Sequence, residues 1–185
     1  MSNFKKAFEI LMKMEFSSPK DFLHKNSGER DYTLAGIYKY ANPDWIGWHA
    51  VELQMMNLGD DIAKASEKLY ESPVVRTMIS QFYEKSYWKR MSLDKIESQA
   101  IAEELFIFGV NAGCRNAVRK AQGIIGVKQD GLMGPVTISA LNGFDPEAFD
   151  LIFDDVEIEY YKTIIENNPS FAIFEKGWKN RAYAV

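Results

Sequence analysis

A succession of helical periodicities, interrupted once, is what most constrains this chain. Phe4, Phe8, Leu11 and Met12 fall at i, i+4, i+7 and i+8, so they share one face of a first helix. Glu15 follows on the same stripe. Pro19 then opposes continuation, because its ring fixes φ and disfavours helical geometry in the residue before it. From Pro19 to Tyr40 the period is lost. Gly28, Gly36 and the alternating Tyr32-Thr33-Leu34 piece predict a loop with a small hairpin.

Helical signals then resume. Trp45 and Trp48 lead into a short helix, and Ser72-Pro73 is an N-cap and N1 pair for a helix through Val74, Val75, Met78, Ile79 and Phe82. Ser98 caps the near-continuously apolar "QAIAEELFIFGVNAG", which predicts a central buried helix. Asn116 is read as the cap of a helix carrying Ala117, Val118, Ala121, Ile124 and Ile125. "KQDGLMGP" is a turn cluster with Pro135 opening the next helix, Asp145-Pro146 starts a long one, and Ser170 begins the last. The expectation is a mainly α fold whose β potential lies between the first two helices.

Several chemistries lack their signatures. A formal net charge of −4 gives no general attraction to nucleic acid. The two histidines, His24 and His49, stand outside any zinc-binding spacing and read as structural or surface residues. No GxSxG, GxGxxG or phosphate-cradling loop is present, and no metal or organic cofactor is implied. The single cysteine, Cys114, excludes an intramolecular disulfide and reads as a small buried residue. Lys5, Lys6, Glu9 and Lys13 interrupt the first helix, so it does not read as a signal sequence. No run approaches the roughly 20 apolar residues of a membrane span. Synthesis in the cytoplasm is expected.

The carboxylates carry more. A carboxylic acid on an apolar helix face resists ionisation, which suits a general acid that protonates the leaving oxygen of a glycosidic bond. A second carboxylate, or a polar residue holding water, then serves the other side of the sugar. Glu29, Asp31 and Thr33, on the loop after the first helix, are the candidates. The competing reading is that Glu15 is an ordinary helix-end glutamate reaching solvent, and periodicity alone does not separate the two.

An ordered series of motifs does. Glu15-Phe16-Ser17-Ser18 stands where an E-G-G-Y type motif closes a first helix, and "SGERDYTLAGI", Ser27 to Ile37, looks like an S-G-G-E-T-x-x-G-I loop with a short insertion before Thr33. Tyr87-Trp88, then Val110 to Gly113 with Ala117 and Gln122, follow in order. "DGLMGPVTISAL" and Phe174, Gly177, Trp178, Asn180 and Arg181 complete the series. In this the chain resembles the lysozyme-like peptidoglycan hydrolases of glycoside hydrolase family 108, phage endolysins and secretion-activator-like proteins, with a C-terminal predicted peptidoglycan-binding region.

The resemblance implies a lysozyme-like fold with residues 1–113 catalytic and residues 114–185 a helical, peptidoglycan-binding-like region integrated into the same unit. It implies a muramidase that cuts the β-1,4 bond between N-acetylmuramic acid and N-acetylglucosamine, with a lytic transglycosylase and a non-catalytic peptidoglycan-binding protein as alternatives. The family's catalytic glutamate falls on Glu15, its threonine on Thr33 and its loop glutamate on Glu29. Asp31 has no family counterpart and competes for the second-carboxylate role. Tyr32, Tyr38 and Trp88 are the aromatic candidates for sugar stacking, and Asn111 of the V-N-x-G motif is a further substrate-binding candidate. Tyr87, Trp178 and Arg181 read as core or as fixing the last helix. Glycan strands of peptidoglycan are the implied partner, without stable membrane insertion and with functional dependence on a holin for release to the cell wall. Phe16 and Ser17 replace the family's glycines, which leaves room for altered or lost catalysis.

Overall fold

The computed structural model describes residues 1–59 and 61–183, and these form a mainly helical chain with one small antiparallel sheet. Two compact units divide it, Leu11–Tyr83 on one side and Met1–Ile10 with Glu84–Val185 on the other. The division at 113/114 suggested by sequence falls inside the second of these.

The unit Leu11–Tyr83 holds the end of α1 (Phe4–Glu15), which stops where Ser18 turns extended and Pro19 opens a single 3₁₀ turn, Pro19–Asp21. Three two-residue strands follow, β1 (Leu23–His24), β2 (Thr33–Leu34) and β3 (Ile37–Tyr38), antiparallel in that order, with His24 opposite Thr33 and Thr33 opposite Tyr38. The hairpin between β2 and β3 is tight. Its loop is Ala35-Gly36, at φ 45° and 81°, so both central residues carry the positive φ of a type I′ turn. Helices α2 (Trp48–Leu58), α3 (Ile62–Glu71) and α4 (Pro73–Tyr83) complete the unit.

Helix α3 has no counterpart among the helices expected from sequence. Asp61 caps it, accepting from the Lys64 N–H at 3.1 Å, and its buried face is Ala65, Ser66 and Leu69. The serine hides that stripe from a hydrophobic count, yet it is fully buried for a reason. Its hydroxyl accepts from the Leu23 N–H at 2.8 Å and donates to the Pro19 carbonyl at 2.6 Å, tying the irregular segment to the helix. Phe16, Phe22 and Tyr70 pack edge to face beside this tie, with ring centroids 5.0–5.9 Å apart.

In the other unit Phe4, Trp88 and Phe106 form an edge-to-face trio at 5.6–5.8 Å. The central helix is α5 (Gln99–Ala112), capped as expected by Ser98, and it packs on α6 (Cys114–Ile124) and α8 (Pro146–Asn167). Phe108 of α5 meets Phe153 of α8 at 5.6 Å. Helix α6 starts three residues earlier than its sequence suggests. Gly113, at φ 90°, makes the break, while Asn116 sits inside the helix and donates back to the Ala112 carbonyl at 2.9 Å. The "DGLMGP" turn is organised by Gln122, buried to 1% exposure, whose oxygen accepts from the Gly131 N–H while its amide donates to Asp130, Leu132 and Thr137. Helix α7 (Pro135–Asn142) follows, and Asp145 caps α8. Ser170 opens no α-helix. It lies in a 3₁₀ stretch, Pro169–Phe174, capped by Asn168, and α9 (Glu175–Ala182) begins after it. Trp178 of α9 stacks flat on Tyr161 of α8, centroids 4.9 Å apart.

Candidate active site

The helix end and the sheet of the unit Leu11–Tyr83 enclose an open cleft of about 400 Å³, lined by Lys13, Met14, Glu15, Phe16, Ser17, Asp21, His24 and Asn26. That volume falls in the range of small-ligand sites. Glu15, the last residue of α1, is half-buried on its wall. Its carboxyl carbon lies 2.7 Å from the point where a Cβ on Gly36 would stand, and the Tyr83 hydroxyl lies 2.6 Å from the same point. No side chain beyond hydrogen fits at Gly36, so the glycine is there for close approach as well as for its φ.

Asp21 and His24 share the cleft. The hydroxyls of Ser17 and Ser18 both donate to Asp21 Oδ2, the second at 2.9 Å, and these two bonds hold the Asp21 carboxyl below the usual carboxylate range. It is therefore an anion at neutral pH. His24 Nδ1 lies 2.9 Å from the Asp21 carbonyl oxygen. A carbonyl only accepts, so Nδ1 is the donor in this contact. Sequence reasoning missed both residues. For Asp21 a local signal existed, since Ser-Ser ahead of Pro-x-Asp is a side-chain-bonded turn; for His24 the signal was its alternation with Leu23 and Phe22, which turns one side chain away from the core.

The remaining expected site residues are not among those that line the cleft. Glu29 accepts from the N–H and the side-chain amide of Asn26 at 2.8 and 3.1 Å, so both its oxygens close the loop that carries it. Asp31 is half-buried and accepts from the Tyr32 N–H at 2.9 Å. Thr33 is 8% exposed in the middle strand, facing His24 across the ladder. None of the three lines the cleft. Tyr32 and Tyr38 are half-buried, with Lys25 Nζ 5.8 Å from the first ring and the second hydroxyl accepting from the Arg30 N–H. One expectation needs correcting. Trp88 is 1% exposed between Phe4 and Phe106, so no indole face is open to a sugar. Asn111 is exposed, and its amide donates to the Tyr161 hydroxyl at 2.7 Å, a helix-to-helix bond between α5 and α8. Both belong to the unit that does not contain Glu15.

A half-buried acid closing the first helix, a three-stranded sheet after it and helices thereafter define a lysozyme-like protein. Residues 23–113 match the family model described as Glycosyl hydrolase 108, and residues 116–183 match that of a Predicted Peptidoglycan domain. The chain belongs to glycosyl hydrolase family 108 and is a peptidoglycan hydrolase in class. The family match begins at residue 23, after Glu15. Among solved structures, that of Brucella abortus SagA is similar with a TM-score of 0.66 at 21% identity, over 97% of this chain and 88% of that one, a likeness of fold. Comparison with curated proteins gives no match. Among the described residues no helix is long and apolar enough to cross a membrane, and no three His, Cys, Asp or Glu side chains gather to hold a metal ion.

Proposed function

We propose that this protein is a muramidase that hydrolyses the β-1,4 bond between N-acetylmuramic acid and N-acetylglucosamine, with Glu15 as general acid. The observation that carries the reading is the cleft itself, in which Glu15 shares a wall with an ionised Asp21 and with His24. Glu15 gives its proton to the glycosidic oxygen as the C1–O bond breaks through an oxocarbenium-like state. Asp21, anionic and fixed by two serine hydroxyls, stabilises that positive charge or aligns the attacking water. Glu29 and Asp31 serve this reading as loop-forming residues, and Thr33 as the strand neighbour that sets His24 in register. Glycan strands are the substrate, and access to the cell wall through a holin lesion belongs to the same reading.

Phe16 does not argue against catalysis. In place of a flexible glycine, its ring packs on Phe22 and Tyr70 and fixes the chain immediately after the acid.

The test is Glu15→Gln, which keeps the shape and removes the acid. Loss of general acid catalysis lowers solubilisation of purified cell walls by about 10²–10⁴-fold. Near-wild-type release of fragments would remove Glu15 from the mechanism. Mass spectrometry of the wild-type products decides the outcome of the cleavage, since a hydrolase leaves reducing ends and a lytic transglycosylase leaves 1,6-anhydromuramic ends.

A further inference from the structure

The cations around the cleft are not equally engaged. Between residues 13 and 30 the chain carries Lys13, Lys20, Lys25 and Arg30. Lys20 Nζ lies 4.0 Å from Glu67, Lys25 Nζ lies 5.8 Å from the centre of the Tyr32 ring, and Arg30 donates to the Tyr40 hydroxyl at 2.7 Å. Lys13 has Glu9 one turn earlier on α1, the spacing at which a glutamate and a lysine meet on a helix. That pair does not form. Among the described residues no carboxylate lies within ion-pair distance of Lys13 Nζ. Lys13 nevertheless lines the cleft, and of the lining residues it is the one with a permanent positive charge.

The surroundings are otherwise adverse to an anion. Asp21 is ionised in the same cleft, and the chain as a whole carries a net charge of −4. A glycan strand of peptidoglycan is itself an anion. Its muramic acid bears carboxylates, on the lactyl ether where the strand is bare and on the attached peptide where it is not. Like charges brought together in a cleft lower both affinity and encounter rate unless a cation offsets them locally. Chitin has the same β-1,4-linked N-acetylated backbone without a carboxylate, so it gains nothing from that cation.

We propose that Lys13 is a specificity-determining residue of the cleft, whose ammonium pairs with a carboxylate carried by muramic acid and so favours muramyl strands over uncharged glycans of the same backbone. The proposal rests on the cleft being the muramidase site. A cation in the last turn of α1 also complements the helix dipole, but that role acts on stability and leaves the choice of substrate alone.

The test sets the charge of the enzyme against the charge of the substrate. Soluble glycan strands are prepared bare and with their peptides, and a portion of each has its carboxylates converted to uncharged amides. Between charged and amidated strands, we expect Lys13→Gln to lower the preference in kcat/KM by about five-fold, mainly through KM, and Lys13→Arg to retain most of it. A loss on bare strands assigns the partner to the lactyl carboxylate, and a loss confined to peptide-bearing strands assigns it to the peptide. An equal loss on charged and amidated strands overturns the proposal, as does a lowered melting temperature with the wild-type preference intact. If the wild-type protein cleaves none of the strands, the muramidase reading falls and takes the proposal with it. If it cleaves them and Lys13→Gln discriminates as the wild type does, only the proposal falls.

Discussion

Raising the pH should loosen α8 from α5, and the structure gives the size of the effect. Glu104 on α5 and Glu157 on α8 are each 1% exposed, and one oxygen of each, Glu104 Oε1 and Glu157 Oε2, has no hydrogen-bond partner among the described residues. Burial, then the neighbouring Glu157 charge and a hydrogen bond with Asp150, push Glu104 up to about 10. Burial, then Asp154, push Glu157 up to about 8, against the pull of Arg181 on α9. Asp154 itself is raised to about 6, by burial and by Asp150 and Asp155, and the Tyr161 phenol is raised as well by burial and Glu157.

The native state therefore keeps protons that the unfolded chain, titrating near 4.5, has already lost. Between those values the native state binds more protons, so the stabilisation is complete below about pH 4.5 and is lost as the pH climbs through the folded pKa values. A tenfold difference in proton affinity between the two states is worth about 1.4 kcal/mol. For Glu157 alone the difference between 4.5 and about 8 amounts to about 5 kcal/mol, a large part of an ordinary domain's stability. Glu157→Gln keeps the shape and deletes the titration. Urea unfolding from pH 5 to 9 should show wild-type stability declining with pH, and the variant declining less steeply by up to ~1.4 kcal/mol per pH unit below pH 8. Parallel slopes for the two proteins would refute the argument.

Two further outcomes concern the unit that carries the acid. Ser66→Ala strands the Leu23 N–H and the Pro19 carbonyl in the interior and should cost roughly 2–4 kcal/mol, seen as a lower melting temperature, with wall-lytic activity falling well below that temperature because Asp21 and His24 ride on the loosened segment; an unchanged melting temperature contradicts the role given to Ser66. Phe16→Gly restores the residue found in the family motif but removes the ring between Phe22 and Tyr70, so it should destabilise by roughly 2–3 kcal/mol. Urea titration checks this, and a gain in stability would show that Phe16 is not held as described.

What could be read from the sequence, and what could not, divides along a physical line. Helices whose identity rests on local chemistry were legible. The Ser98 and Asp145 caps, the proline starts at Pro73, Pro135 and Pro146, and the arrest of α1 at Glu15 each depend on residues within one turn of one another. The phase that put Glu15 on the apolar stripe depends on the same short range, and the residue is indeed half-buried at a cleft. Helix α3 escaped because a buried serine that bonds two backbone groups of a distant segment looks, in one dimension, like a polar interruption. Trp88 went astray for the converse reason, since an aromatic residue reads alike whether a sugar or two phenylalanines cover it.

The loop carboxylates show the limit most sharply. Glu29, Asp31 and Asp21 are three acids on one irregular stretch, and no period ranks them. Their hydrogen bonds do. Glu29 spends both oxygens on Asn26, whereas Asp21 has its charge fixed by Ser17 and Ser18 at the mouth of the cleft. The contact over Gly36 lies furthest from the reach of sequence, because Tyr83 arrives from the end of α4 with no local motif to announce it. A glycine whose missing side chain leaves room for an acid and a phenol is visible only once the chain has folded.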